Sequence, residues 1–201
     1  MGSVFIQIGT KDGNDEFNLI VRQEKPLIVI LVEPNREHNA DIFNNYEDVP
    51  SHIYLENVAI TAEPEDNVTL VHPAVPINGI EYDSGKFSLL PMDDWGDRFV
   101  QLPAPGMTFE RLCSKYGVTE IDFLQIDTEG YDSEIIKSID FDRITIHKIK
   151  YEIWHFPIEK FTRHGEKGKQ YGWAGMYAVE KLLKDRGYKL EYLPYDIIAT
   201  L

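Results

Sequence analysis

The sequence predicts an α/β fold, with an open, mostly parallel central sheet, helices on both faces and an antiparallel C-terminal hairpin. Three observations carry this expectation. Strand-like and helix-like segments alternate from the first residues onward. Residues 27–32, Leu-Ile-Val-Ile-Leu-Val, form an unbroken branched apolar run, as a parallel strand covered on both faces requires. A glycine-bearing turn, Gly9-Thr-Lys-Asp-Gly13, directly follows the first apolar run.

Taken in order, residues 4–8 form the first strand, and Phe17, Leu19, Ile20 and Val21 cluster on a helix that closes before Pro26. The strand at 27–32 is stopped by Glu33-Pro34-Asn35. A second helix follows over 36–46, and further strands are expected at 53–60 and 67–71. Residues 73–106 carry many prolines and glycines, scattered aromatics and no sustained period. Too long for an ordinary connection, they read as an insertion or lid with hairpin elements inside a single domain spanning 1–201. Thr108 is a helix N-cap with Glu110 in the first turn, and Gly117 is the matching stop. A strand over 121–127 runs through Thr128-Glu-Gly130 into a helix over 131–139, and another strand spans 144–153. The last helix, 171–186, carries Trp173, Met176, Val179, Leu182 and Leu183 on one side and ends at Gly187. Residues 188–193 and 197–201 flank Pro194-Tyr-Asp196 as a closing hairpin.

Composition narrows the function. A chain of 201 residues, 43% hydrophobic and 12% aromatic, can bury a sizeable core, and no apolar run reaches the roughly 18 residues of a membrane span. A formal charge of -14 opposes binding to a phosphate backbone, so nucleic acid is not expected as a partner. The one basic stretch, Lys160, Arg163, His164, Lys167 and Lys169, reads as a solvated loop. The start lacks the pattern of a secretory signal, and the lone Cys113 suits a reducing compartment, so the expected location is cytoplasmic. Cys113 recurs with Phe109, Leu112 and Tyr116 at helical spacing, which makes it a core residue. The strand pattern begins at Val4, and the chain is therefore expected to be a domain of a longer polypeptide.

In an open parallel sheet, ligands bind outside the carboxyl ends of the strands. Those ends carry residues 9–13, Glu33, 57–63, 127–130 and 152–155. The turn at Gly9 lacks the third glycine of the dinucleotide fingerprint and the Gly-Lys-Ser/Thr of a triphosphate loop. Glu33 ends the second strand about 20 residues beyond the turn, where a carboxylate can accept both hydroxyls of a ribose. It can equally cap the turn at Pro34. Loop and acid together favour a nucleoside-containing cofactor. Asp127 and Glu129 stand side by side at a strand end, an arrangement that raises one carboxyl pKa and suits a general base or a divalent metal. Helix capping by Asp127 or Thr128 is the structural alternative. Glu152 and His155, in Lys-Tyr-Glu-Ile-Trp-His-Phe, end the next strand and can reach the same cleft.

The order VFIQIGTKDG, LIVILVEPN, LENVAI, MTFERLCSKYGVTEIDFLQIDTEGYDSEIIKSIDF and IKYE resembles the FkbM-type S-adenosylmethionine-dependent methyltransferases, over residues 4–152 apart from 73–106. The resemblance implies a Rossmann-like class I methyltransferase fold and S-adenosylmethionine as cofactor. It implies O-methylation of a hydroxyl on a sugar or glycan, a deoxyhexose such as rhamnose being the natural guess. Carried over residue by residue, it places Gly9, Asp12 and Gly13 at the methionine end, Glu33 at the ribose and Asn57, Val58 and Ala59 around the adenine. Gln7, Thr10, Pro34 and Asp127 complete the cofactor set. Gln7 stands where many methyltransferases have an acid, so help with the methionine ammonium is expected from elsewhere. The base is expected among Asp127, Glu129, Glu152 and His155, with a divalent metal on Asp127, Glu129 and Glu152 as an accessory. Tyr82, Trp95, Trp154, Tyr171 and Trp173 are candidates for stacking on a sugar ring, although each singly suits a core position. Segments 73–106 and 160–169 are the candidates for acceptor recognition, and linked glycosyltransferase domains would fit a longer polypeptide. The competing readings are a non-catalytic nucleoside- or glycan-binding module, a nicotinamide-dependent enzyme and a nucleotide-sugar-modifying enzyme.

Overall fold

The structure is a computed structural model that describes residues 2–73, 87–90, 99–154, 168 and 171–201. Seven strands form the main sheet: β1 (Val4–Ile8), β2 (Ile28–Val32), β3 (His52–Glu56), β8 (Phe123–Ile126), β10 (Lys148–Glu152), β11 (Lys189–Tyr192) and β12 (Asp196–Thr200). Their spatial order is β11-β12-β10-β8-β1-β2-β3, and β12 alone runs against its neighbours. The order reverses between β1 and β8, so the crevice outside those two strand ends is the topological switch point where a ligand is expected.

Alternation along β1 divides the core. Val4, Ile6 and Ile8 face one layer, with α3 (Phe109–Tyr116), α4 (Asp132–Ser138) and α5 (Trp173–Asp185) packed on it through Leu112, Cys113, Ile135, Ile136, Val179 and Leu183. Phe5 faces the other, against Phe17 and Val21 of α1 (Glu16–Glu24) and Ile42 and Tyr46 of α2 (Asn39–Tyr46). Phe5, Phe17 and Phe123 pack ring on ring there, with centroids 5.5–6.2 Å apart. Both faces are covered, which explains the unbroken apolar text of β2.

Helix ends follow their sequence signals. Thr108 caps α3 by accepting from the Arg111 N–H at 3.2 Å, and Gly117 leaves it at φ +65°. Cys113 is a core residue whose thiol burial pushes up to about 12.

Three expectations need correction. The strand expected over 53–60 is two elements: β3 ends at Glu56, and β4 (Ala59–Thr61) leaves the main sheet for a second one. The apolar text over 121–127 and 144–153 is likewise divided, because β7 (Glu120–Ile121) pairs with β9 (Thr145–Ile146) in a separate two-stranded sheet. The third concerns residues 73–106, whose last part is a regular strand, β6 (Phe99–Thr108). It pairs antiparallel with β5 (Asn67–Pro73) and, from Gly106 onward, parallel with β4. Pro103 and Pro105 are tolerated because the N–H groups that pair with β5 come from the alternate positions, Gly106 donating to the Asp66 carbonyl at 3.1 Å. Residues 74–86 and 91–98 lie outside the described residues. Among the described residues, no helix is long and apolar enough to cross a membrane.

Candidate active site

The loop after β1 is bound to the end of β2. Gly9 and Thr10 both donate to the Val32 carbonyl, at 3.0 and 3.2 Å, and Gly13 closes the turn onto the Thr10 carbonyl at 3.0 Å. Gly9 sits at φ +83°, and a Cβ there would lie 1.7 Å from the Asp127 carbonyl oxygen, so only glycine lets β1 and β8 end this close together. Lys11, at φ +52°, donates its N–H to Glu33 Oε2 at 2.8 Å. Asn35 N–H reaches Oε1 at 2.8 Å. Burial raises the Glu33 carboxyl pKa, and these two backbone donors pull it back. Glu33 therefore caps its turn, yet each oxygen keeps lone-pair capacity toward the cleft it lines.

These elements enclose a cleft at the strand ends. Gly9 and Lys11 form one side, Glu33 and Pro34 the next, and Val58, Ala59 and Ile60 a largely apolar wall. Leu70, Phe87 and Leu89 cover it, and Asp127, Thr128, Glu129 and Tyr131 close the far side.

The far side is acidic. Asp127 is exposed to the cleft, but the surrounding concave wall removes much of the water a carboxylate would have on an open surface. Desolvation, followed by the charges of Asp132, Glu129 and Asp196, pushes its proton affinity well up. Glu152, at the end of β10, moves the same way through burial and then through Asp127 and Asp132. Asp132 is fully buried and organises the group. It accepts from Thr128 N–H at 3.2 Å, Thr128 Oγ1 at 2.7 Å and Glu152 N–H at 3.3 Å, which fastens the β8–α4 turn to β10. Glu129 holds φ +54°, a left-handed backbone that turns the chain between strand and helix.

The chain matches the model of the methyltransferase FkbM domain over residues 7–190. It belongs to the FkbM methyltransferase family. The fold of this methyltransferase is also that of an O-methyltransferase from Bacillus cereus solved in complex with SAH. The TM-score is 0.50 at 8% identity, over 100% of this chain and 74% of that one. A precorrin-6y C5,15-methyltransferase from Geobacter metallireducens GS-15 aligns with a TM-score of 0.46 at 12% identity, over 99% and 80% of the two chains. No curated protein matches the chain. The fold is that of class I methyltransferases, and family membership supports S-adenosylmethionine as the cofactor.

The structure brings some of the sequence-derived residues of this FkbM domain together and not others. Gly9, Glu33, Pro34, Val58, Ala59, Asp127 and Glu129 line the cleft. Thr10 is buried beneath the loop, Asp12 holds the loop through its carbonyl, which accepts from Asn45 at 2.9 Å, and Gly13 packs on the Tyr46 ring. Asn57 does not line the cleft either: its Nδ2 donates to the Glu33 carbonyl and to Asn39 Oδ1, both at 2.8 Å, so it ties β2 to the chain leaving β3. Gln7 is wholly buried and donates its amide to Asp15, the N-cap of α1, so the negative charge below the loop belongs to Asp15. Trp154 is half exposed against Tyr195. His155, Tyr82, Trp95 and most of 160–169 lie outside the described residues. Among the described residues, no group of three or more His, Cys, Asp or Glu side chains converges to hold a metal ion. Asp15, Asp132 and Tyr131 escaped the sequence reading, because a helix cap, a first-turn acid and an ordinary tyrosine carry no distinguishing spacing.

Proposed function

We propose that this domain is an S-adenosylmethionine-dependent O-methyltransferase that acts on a hydroxyl of a sugar or glycan. The observation that carries the reading is the placement of Asp127, a carboxyl of raised proton affinity, in the same cleft as the doubly anchored Glu33. The cleft suits the donor: Glu33 presents acceptor lone pairs for ribose hydroxyls, Val58 to Ile60 an apolar wall for a purine, and the Gly9 loop a close backbone approach for the amino-acid end. Bound there, S-adenosylmethionine supplies an electrophilic methyl group on a sulfonium whose leaving thioether needs no protonation.

The chain's own work is to hold both partners at near-attack distance and to take the hydroxyl proton. An ordinary carboxylate is a weak base for a sugar hydroxyl. Asp127, desolvated and crowded by Asp132 and Glu129, is a stronger one, and it stands at the switch point itself. Asp132 and Glu129 set its field.

Calorimetric titration with S-adenosylhomocysteine and a methyl-transfer assay over a glycoside panel test the reading. Asp127→Asn should retain the cofactor product and lower turnover by about 10²–10⁴-fold. Because the Asp127 carboxyl is raised, wild-type kcat/KM should keep climbing through neutral pH. Unchanged turnover in Asp127→Asn sinks the base assignment. Cofactor binding without turnover on any acceptor favours a non-catalytic module.

A further inference from the structure

We propose that a second cavity, on the other side of Tyr131 from the donor cleft, is the acceptor subsite and takes a sugar ring; this rests on the methyl-donor reading of the first cleft. The two cavities share Leu89 and Tyr131 as their dividing wall. Tyr131 stands four residues beyond Asp127, on the turn into α4, so a hydroxyl carried past its ring arrives at the carboxylates of the donor cleft. The Tyr131 hydroxyl accepts the Ala62 N–H at 3.3 Å, which fixes the phenol and leaves its own hydrogen to be donated.

The lining is amphipathic in the way a pyranose is. Glu65, Asn67 and Thr69 are exposed and project from β5 and its approach, offering carboxylate, amide and hydroxyl groups to the hydroxyl edge of a ring. Tyr131 and Tyr171 offer aromatic surface, and the buried Leu90 an apolar floor, to its C–H face. Glu65 bears on the Tyr131 phenol electrostatically, so carboxylate and ring work on the same small volume. A flat aryl substrate would use the rings and leave the three polar groups without a role.

The test uses the full chain saturated with S-adenosylhomocysteine and reads saturation-transfer NMR to methyl α-L-rhamnopyranoside and methyl α-D-glucopyranoside, with catechol as the aryl control. Wild type should transfer saturation to a glycoside. Glu65→Gln and Asn67→Ala should each weaken glycoside binding by about tenfold, the worth of a charge-assisted or well-formed hydrogen bond, with cofactor-product affinity unchanged. Thr69→Trp, which fills the cavity from an exposed strand position, should abolish the glycoside signal alone. The inference is overturned if neither glycoside gives a signal, if catechol alone does, or if glycoside binding ignores all three substitutions. Absence of S-adenosylhomocysteine binding in wild type would instead remove the donor reading beneath it.

Discussion

Two residues show how little freedom the site leaves. Gly9 combines a positive φ with a neighbouring carbonyl that any Cβ would overlap. Gly9→Ala should therefore force β1 and β8 apart, costing about 3 kcal/mol or more and abolishing S-adenosylhomocysteine binding; calorimetry beside a melting curve reads both. Asp132 is the converse, a side chain that nothing local can replace. Its carboxylate satisfies two backbone N–H groups and a hydroxyl on two different elements. Asp132→Ala leaves buried donors unpaired, a cost of about 1–3 kcal/mol each, and frees the turn that carries Asp127 and Glu129. Turnover should fall further than stability alone explains, measured at a temperature where the variant is fully folded.

At the scale of elements, the ribbon of β5 and β6 does what the main sheet cannot. It contributes Leu70 to the cover of the donor cleft and Asn67, Thr69 and Pro103 to the second cavity. Gly106 is its pivot, because a Cβ there would stand 2.3 Å from the Glu65 carbonyl oxygen. Gly106→Ala should displace Glu65 and raise the acceptor KM. Thr108→Ala, two residues on, removes only the α3 cap and should cost about 1 kcal/mol with both KM values unchanged. The contrast, read by melting curves and steady-state kinetics, separates a ribbon that shapes the site from a helix that supports it. The sequence concealed this ribbon for a physical reason. Prolines demote a strand in any local reading, whereas Pro103 and Pro105 fall at positions that owe β5 no hydrogen bond.

Across the whole molecule, the clustered acids at the ends of β8 and β10 set the response to pH. Asp127, Asp132 and Glu152 hold their protons more tightly folded than unfolded. Above the ordinary carboxylate range the unfolded chain binds fewer protons than the folded one, so stability is full below about pH 4 for these groups and falls as pH rises through their raised values. Thermal unfolding should accordingly show a lower Tm at pH 9 than at pH 6, with added salt recovering part of the loss by screening like charges. Glu152→Gln should flatten the dependence, and Asp127→Asn should raise Tm as it removes activity.

Sequence by itself determined the alternation of strands and helices, the doubly covered sheet, the capped ends of α3, and the glycine loop with Glu33 and Asp127 at strand ends. These depend on local periodicity and on backbone geometry that single residue types impose. Only the tertiary structure decided that residues 53–60 split between two sheets, that Asn57 is a tie and that Asp15 carries the charge beneath Gln7. It alone made Asp132 the joint between β8 and β10 and Tyr131 the wall between two cavities. Those roles come from contacts between segments distant in the chain, where position in space, which no local pattern encodes, sets both burial and proton affinity.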